Sequence, residues 1–314
     1  MREEILILDK SAFEAMSKAE HTSLMFRYMQ NVTPVLGMEI LCDLVKEHDT
    51  SVAAPEWVKI LAKKFGGSGD PVNMDFIHLV AGELAGNPVP MTRQIIPDNS
   101  WAGPGSDGAP VMMVDLGPFN HAFMRWAAGK FSQHDRHLAQ TWRENPPRIN
   151  HEALWQSLKD RDVLQKRPRQ AEDVVGMVDQ TLDVPSLQAL WLDYMLGYID
   201  ATERFRPIVY DRWLRHGSGS FRTFSPYSAH CLRVILATLV LTKHALVVQK
   251  ATNFVDAQYL YYLPFCDIFV SGDKLHRCLV PSLLQPGQRF LAATDLKTEL
   301  KKLVGRRRAK PSTK

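Results

Sequence analysis

The sequence predicts an α/β fold: a central, mostly parallel sheet with a large and mostly helical insertion. Ile5–Leu8 is an uninterrupted apolar run, which is typical of a strand covered on both faces. Asp267–Ser271, near the other end of the chain, also has the pattern of a short buried strand. Between them, residues 120–214 place apolar side chains at helical spacing. The two ends of the chain are therefore expected to share one sheet, with helices between them.

The N-terminal region is predicted to hold two strands and two helical segments. After the first strand, residues 11–30 have a helical pattern with a break near His21. Val32-Thr33 predicts a second, short strand. Pro34 suits a first helical turn with the preceding threonine as its cap, so a helix is expected from there to about Glu47.

The middle of the chain changes from loops to helices. Between Gly66 and Pro118, sixteen of 53 residues are Gly or Pro, which predicts a loop-rich region with one helix at 73–85 and a strand at Val111–Val114. Pro226–Asn253 is predicted to form one long buried helix.

The C-terminal region returns to an α/β pattern. Asp256–Leu263 is expected to be helical and to end before Pro264. Asp267–Ser271 then predicts a strand, followed by a turn at Gly272-Asp273-Lys274. Ligand-binding groups in open parallel sheets gather at the carboxyl ends of the strands, which is the position of this turn.

The charge distribution separates the tail from the body. The formal net charge is +4, yet Lys297–Lys314 holds eight Lys or Arg and one acid, so the remainder is mildly acidic. A basic tail suits nucleic acid, and a solvated, frayed terminus is an alternative interpretation. In this tail, Arg306, Arg307 and Arg308 are predicted to contact phosphates.

The cysteines and the longest apolar run favour a cytoplasmic protein without a membrane partner. No two of the four cysteines have Cys-x-x-Cys spacing, which disfavours a zinc ribbon and predicts reduced thiols. The apolar run Val234–Val248 is interrupted by Lys243 and His244 and falls short of the roughly 20 residues that a membrane span requires. It therefore predicts a buried helix.

Four acidic residues are expected to meet at one edge of the sheet. Asp9 and Asp273 lie just past predicted strands, and Glu39 and Asp256 lie near the starts of predicted helices. Carboxylates held together raise one another's pKa values unless a cation compensates their charge. Hard ions such as Mg²⁺ take oxygen ligands of this kind and promote phosphoryl displacement. Taken singly, each acid also has a helix-capping interpretation.

Three short motifs occur in a fixed order along the chain. Ile5–Phe13 reads as a strand, an Asp, any residue, a Ser and an apolar pair. Val32–Leu41 reads as a second strand and a helix that carries Glu39. Asp256 is followed 17 residues later by Asp273, within the sequence Phe-Val-Ser-Gly-Asp-Lys. Together these motifs resemble the PIN domain family of toxin ribonucleases and RNA-processing nucleases.

The resemblance implies a fold, an activity and a set of site residues. The implied core is a three-layer PIN-like fold from residues 1–48 and 250–305, with 49–249 as a loop-rich and then helical insertion and 306–314 as a basic tail. The implied activity is cleavage of RNA with Mg²⁺ or Mn²⁺. The implied catalytic and metal-binding residues are Asp9, Glu39, Asp256 and Asp273. Ser11 and Ser271 are implied to support them through hydrogen bonds.

Other features leave the function open. About 200 residues separate the Glu39 helix from Asp256, and this insertion is expected to shape the site, block it, or bind a protein partner or inhibitor. Lys274 and His276 follow Asp273 closely and are candidates for contact with a phosphate. The alternatives to a ribonuclease are an inactive PIN-like scaffold that binds RNA or protein, and a nuclease that acts on DNA on the same core.

Overall fold

A computed structural model of the chain gives the backbone over nine ranges. The ranges are 3–46, 53–65, 71–97, 100–104, 110–114, 118–144, 151–164, 166–250 and 252–309. Within them, the side chains of 100–104, 110–114 and 303–309 lie outside the description.

The strands form one parallel sheet and one hairpin. They are β1 (Ile5–Leu8), β2 (Met29–Gln30), β3 (Ser100–Pro104), β4 (Pro110–Val114), β5 (Ile268–Ser271) and β6 (Arg289–Ala292). The sheet has the order β2-β1-β5-β6, and each pair of neighbours is parallel. The hairpin pairs β3 with β4 antiparallel. The predicted α/β class and the pairing of the two chain ends in one parallel sheet are confirmed.

Helices make up most of the remaining described chain. They are α1 (Lys10–Ala15), α2 (Lys18–Met25), α3 (Pro34–Cys42), α4 (Ala54–Ala62), α5 (Phe76–Ala85), α6 (Pro118–Ala127), α7 (Gln133–Glu144), α8 (His151–Asp160), α9 (Ala171–Leu182), α10 (Gln188–Tyr198), α11 (Phe205–Arg215), α12 (Phe221–Phe224), α13 (Pro226–Lys243), α14 (Asn253–Leu260), α15 (Lys274–Leu283) and α16 (Ala293–Ala309). Short 3-10 turns lie at Asp43–Val45, Pro185–Leu187 and Leu263–Phe265.

Two local predictions near the N-terminus were wrong in position. The helical break falls at Ser17 instead of near His21, because Ser17 and Glu20 form a capping box that starts α2. The second strand is Met29–Gln30, not Val32-Thr33, since the Met29 N–H donates to the Glu4 carbonyl in the β1 register. The predicted cap of α3 is confirmed: the N–H of its third residue donates to the hydroxyl of the preceding threonine.

Helix ends elsewhere also differ from the sequence pattern. Helix α5 starts at Phe76 instead of residue 73, because the Asp75 carboxylate accepts from the Ile77 N–H at 2.8 Å and caps the helix there. Helix α13 ends at Lys243, about ten residues before the predicted end, and Ala245 adopts a left-handed backbone just beyond it. The predicted strand at Val111–Val114 is confirmed as part of β4.

The hydrophobic core runs continuously from the sheet into the helical region. Every residue of β1 and β5 is buried, because helices cover these strands. Helix α13 is buried over most of its length and packs against α5, α9, α12 and α14. In the described ranges, no helix has both the length and the apolar character needed to cross a membrane.

A buried carboxylate joins α5 to the start of α13. Glu83 is 2% exposed, and its oxygens accept from the N–H groups of Tyr227 and Ser228 at 2.8 and 2.7 Å. The hydroxyls of Ser225 and Ser228 donate to the same side chain. A negative charge at a helix N-terminus is favourable, and these donors replace the water that the carboxylate loses on burial.

Glu83→Ala should lower the free energy of unfolding by about 3 kcal/mol, because it leaves buried N–H groups of α13 without an acceptor. Urea unfolding followed by circular dichroism measures the change. Glu203→Ala removes an exposed acid and serves as the control. If the two variants lose the same free energy of unfolding, the buried hydrogen bonds of Glu83 do not stabilise the protein.

Candidate acidic site at the sheet edge

The carboxyl ends of β1 and β5 lie side by side. The Asp9 N–H donates to the Val270 carbonyl at 3.1 Å and so extends the pairing of the two strands. Beyond this point, Ser11 and Gly272 approach closely: the Gly272 N–H donates to the Ser11 hydroxyl at 2.9 Å. A Cβ at Gly272 would meet that hydroxyl at 3.0 Å, so the approach favours glycine.

Asp9 is buried and surrounded by hydrogen-bond donors. It caps α1, since its Oδ1 accepts from the Ala12 N–H at 2.8 Å. The Ser11 hydroxyl donates to the carboxylate at 2.8 Å, and the Ser271 hydroxyl donates to Oδ2 at 2.5 Å. Both oxygens are therefore occupied by the protein itself.

His276 joins Asp9 to the helix that carries Asp256. Its Nε2 lies 2.8 Å from the Asp256 carbonyl, which only accepts, so Nε2 carries a proton. Its Nδ1 lies 3.2 Å from Asp9 Oδ2 and 2.8 Å from the Ser271 oxygen, whose own proton points to Asp9. This arrangement provides an acceptor for each ring nitrogen, and it favours the doubly protonated form of the ring.

The pKa values of this pair agree with the geometry. Burial alone would raise the pKa of Asp9, but hydrogen bonds and the charge of His276 hold it below the usual value. Burial alone would lower the pKa of His276, but the hydrogen bond and the charge of Asp9 raise it above the usual value. The result is a buried ion pair between the ends of β1 and β5.

Glu39 on α3 is less well compensated. Burial raises the pKa of Glu39 to about 7, and the charges of Asp256 and Asp9 add to the rise. Two groups lower the pKa of Glu39. The Tyr259 hydroxyl donates to Glu39 Oε2 at 2.5 Å, and the Lys10 ammonium lies nearby and donates to the Glu39 carbonyl at 3.1 Å.

Asp256 and Asp273 complete the acidic set. Burial raises the pKa of Asp256 to about 6, and the negative charges of Asp273 and Asp9 add to it, while the charge of His276 lowers it. Asp273 caps α15: its Oδ1 accepts from the Leu275 N–H at 2.6 Å. The Asp273 backbone N–H in turn donates to the Ser271 hydroxyl.

The structure thus brings the four predicted acids into one electrostatic neighbourhood without forming a cage. The charges of Asp9 and Asp256 act on Glu39, and the charges of Asp9 and Asp273 act on Asp256. Among the side chains that the structure describes, no three His, Cys, Asp or Glu groups stand close enough together to hold a metal ion as placed.

The other predicted site residues have different positions. Lys274 is exposed on the first turn of α15. Asp267 is not one of the predicted site residues; it lies at the opposite end of β5, where its carboxylate accepts from the Ile5 N–H at 2.9 Å. Arg306, Arg307 and Arg308 are in the last turns of α16, and their side chains lie outside the described part of the structure.

Two residues of the site have a role that the sequence pattern did not indicate. The prediction that His276 contacts a phosphate is wrong, because its side chain is 1% exposed and both ring nitrogens bond within the protein. Tyr259 was not recognised, although its spacing of three residues from Asp256 places the two on neighbouring turns of α14.

Comparison with known proteins does not assign the chain to a family. No protein-family model, no curated protein and no solved structure matches it. The site is therefore interpreted from its own residues.

Glu39→Gln should stabilise the protein at pH 8 by about 1–3 kcal/mol, measured by urea unfolding without divalent ions. The pKa of Glu39 is about 7 in the folded protein, and its ordinary value is 4.5. Between these two pH values the folded state binds more protons than the unfolded state. The wild-type protein therefore loses stability as the pH rises through this range. The variant carries no such charge and should show the gain at pH 8 but not at pH 4.5. Glu203→Gln is the control, and a gain independent of pH would contradict the assignment.

The Asp9–His276 pair should show strong coupling in a double-mutant cycle. Asp9→Asn and His276→Gln should each destabilise the protein by about 3 kcal/mol, because each leaves a buried charge unpaired. The double variant should lose at least about 1.5 kcal/mol less than the sum of the single losses. Additive losses would show that the two side chains do not form an ion pair.

Proposed function

We propose that this protein is a metal-dependent endoribonuclease with a PIN-like core. The observation that carries the proposal is the placement of Asp9 and Asp273 past the carboxyl ends of two adjacent parallel strands, linked through Ser271. The raised pKa values of Glu39 and Asp256, to which neighbouring acids contribute, support it. A parallel sheet covered by helices, with the motif residues at this edge, supports the PIN-like interpretation. The choice of RNA as substrate is supported by the motif resemblance and by the basic tail.

The donor set fits Mg²⁺ or Mn²⁺ by its chemistry. Glu39 and Asp256 are hard oxygen donors whose raised pKa values reflect burial and uncompensated negative charge, which a divalent cation would relieve. Glu39 and Asp256 would each offer an oxygen to the ion, and Asp273, whose charge acts on Asp256, is the third predicted ligand, although as placed the three do not form a ready-made set. Asp9 already accepts from protein donors on both oxygens, so its direct ligation stays a prediction. When bound, the ion supplies charge neutralisation and activation of water.

The chain's own residues prepare the site. The Asp9–His276 pair, with the hydroxyl of Ser271, ties the end of β1 to the end of β5 and so keeps Asp273 beside them. The Tyr259 hydroxyl orients Glu39 by its hydrogen bond. Lys274 is exposed next to Asp273, where its ammonium would meet a phosphate of the substrate.

One observation favours a second candidate, a PIN-like scaffold without catalytic activity. The acids are not drawn into a ready-made metal cage, as far as the described side chains show. A protein that only binds RNA or a protein partner has no need of such a cage. A nuclease that acts on DNA would share the same acidic edge.

Labelled RNA and DNA should be incubated with the protein and Mg²⁺ or Mn²⁺. We expect metal-dependent cleavage of RNA that falls at least about 100-fold in Asp273→Asn and Glu39→Gln, since each removes charge from the site. Asp211→Asn alters an exposed ion pair with Arg215 far along the chain and serves as the control.

The outcomes separate the candidates. No cleavage by wild type with either metal favours the scaffold, and cleavage of DNA alone favours the DNA nuclease. If cleavage is undiminished in both site variants, the activity lies elsewhere in the protein. That result would contradict the proposed site. Thermal melting of each variant shows whether a loss of activity merely follows a loss of folding.

A further inference from the structure

A basic concavity lies between α6 and α7, in the insertion. Its volume is about 490 Å³, and its walls are formed by Arg125, Gly129, Lys130, Phe131, Ser132 and Arg136. We infer that this concavity binds the phosphate backbone of single-stranded RNA. The inference rests on the proposed function and adds to it a substrate-binding surface outside the acidic edge.

The backbone of the turn places the basic residues around the concavity. Gly129 has φ 72°, in the left-handed region that glycine adopts without strain, and it reverses the chain directly after α6. Ser132 and Asp135 then cap α7 reciprocally: the Ser132 N–H donates to the Asp135 carboxylate at 2.8 Å, and the Asp135 N–H donates to the Ser132 hydroxyl at 3.0 Å. The turn is thereby held in one shape.

The concavity carries a net positive charge. Its nearest acid, Asp135, is 3% exposed and forms an ion pair with Arg125 at 3.2 Å. Lys130 and Arg136 are both exposed, and in the described part of the chain no carboxylate lies within ion-pair distance of either. Two uncompensated cations beside one paired cation are suited to successive phosphates of a nucleic-acid strand.

The aromatic content favours a single strand over other polyanions. Phe131 is half-buried in the wall between the two cations, and an aromatic side chain beside a basic groove is the usual combination in proteins that bind single-stranded nucleic acid. A purely electrostatic surface for acidic protein segments has no need of this ring.

A second cavity lies next to this surface and is lined in part by the helix of Glu39. It measures about 340 Å³, and Arg125 lines both cavities. Its other wall includes Met38 and Leu41 of α3, and Met38 directly precedes Glu39. Helix α3 therefore lines a cavity that shares Arg125 with the basic concavity.

Binding should be measured on the full-length protein by fluorescence anisotropy with a fluorescein-labelled 12-nucleotide oligouridine, in EDTA so that no metal-dependent cleavage occurs. Lys130→Ala/Arg136→Ala should weaken the Kd at least about tenfold and reduce the slope of log Kd against log salt by about 1.4, as expected for two lost phosphate contacts. Arg161→Ala/Lys166→Ala removes the same charge from another exposed segment and should leave Kd nearly unchanged.

The result that overturns the inference is equal affinity for wild type and the Lys130/Arg136 variant, or an equal loss in the control variant. Binding of a labelled polyglutamate with the same affinity and the same dependence on Lys130 and Arg136 would also overturn it and assign the surface to acidic protein. A second variant, Lys130→Gln/Arg136→Gln, removes both charges but keeps unbranched polar side chains at the two positions. Thermal melting verifies the folding of each variant.

Failure of the proposed nuclease is distinguishable from failure of this surface. RNA binding that depends on Lys130 and Arg136, in a protein without cleavage, supports the surface and rejects the nuclease. Cleavage by wild type with an unchanged KM in the Lys130/Arg136 variant rejects the surface and leaves the nuclease intact.

Discussion

The buried ion pair between Asp9 and His276 is the interaction on which the acidic edge depends. Asp9 directly follows β1, and His276 lies in the first turn of the helix that follows β5, so the pair joins residues that are 267 positions apart in sequence. Both members of the pair form further hydrogen bonds: the Ser271 hydroxyl donates to Asp9, and the Asp256 carbonyl accepts from His276. Such a pair stabilises only when its hydrogen bonds are complete, and here they are.

This pairing divides the acids into two kinds. Asp9 has a positive partner and a lowered pKa, so its negative charge is already compensated inside the protein. Glu39 and Asp256 have raised pKa values because burial and neighbouring negative charges outweigh their partners. Uncompensated carboxylates of this kind are typical of sites that meet a cation or exchange protons. The uncompensated negative charge of the edge therefore lies with Glu39 and Asp256.

The helices between residues 49 and 249 are packed onto the same core. Helix α13 is its central element, and the buried carboxylate of Glu83 fixes where that helix begins. Helix α3, which carries Glu39, contacts α14 on one side and α7 on the other. It therefore stands between the acidic edge and the basic concavity of Lys130 and Arg136.

The sequence by itself determined the strands β1 and β5, the cap of α3 and the placement of Asp9 and Asp273 past strand ends, because apolar runs and capping residues act locally. It misplaced β2, since that strand is set by pairing with β1 and not by its own two residues. Only the tertiary structure decided that His276 turns inward to Asp9 and that Tyr259 meets Glu39. These contacts join residues more than 200 positions apart, and burial, which a sequence pattern does not record, sets their charge states.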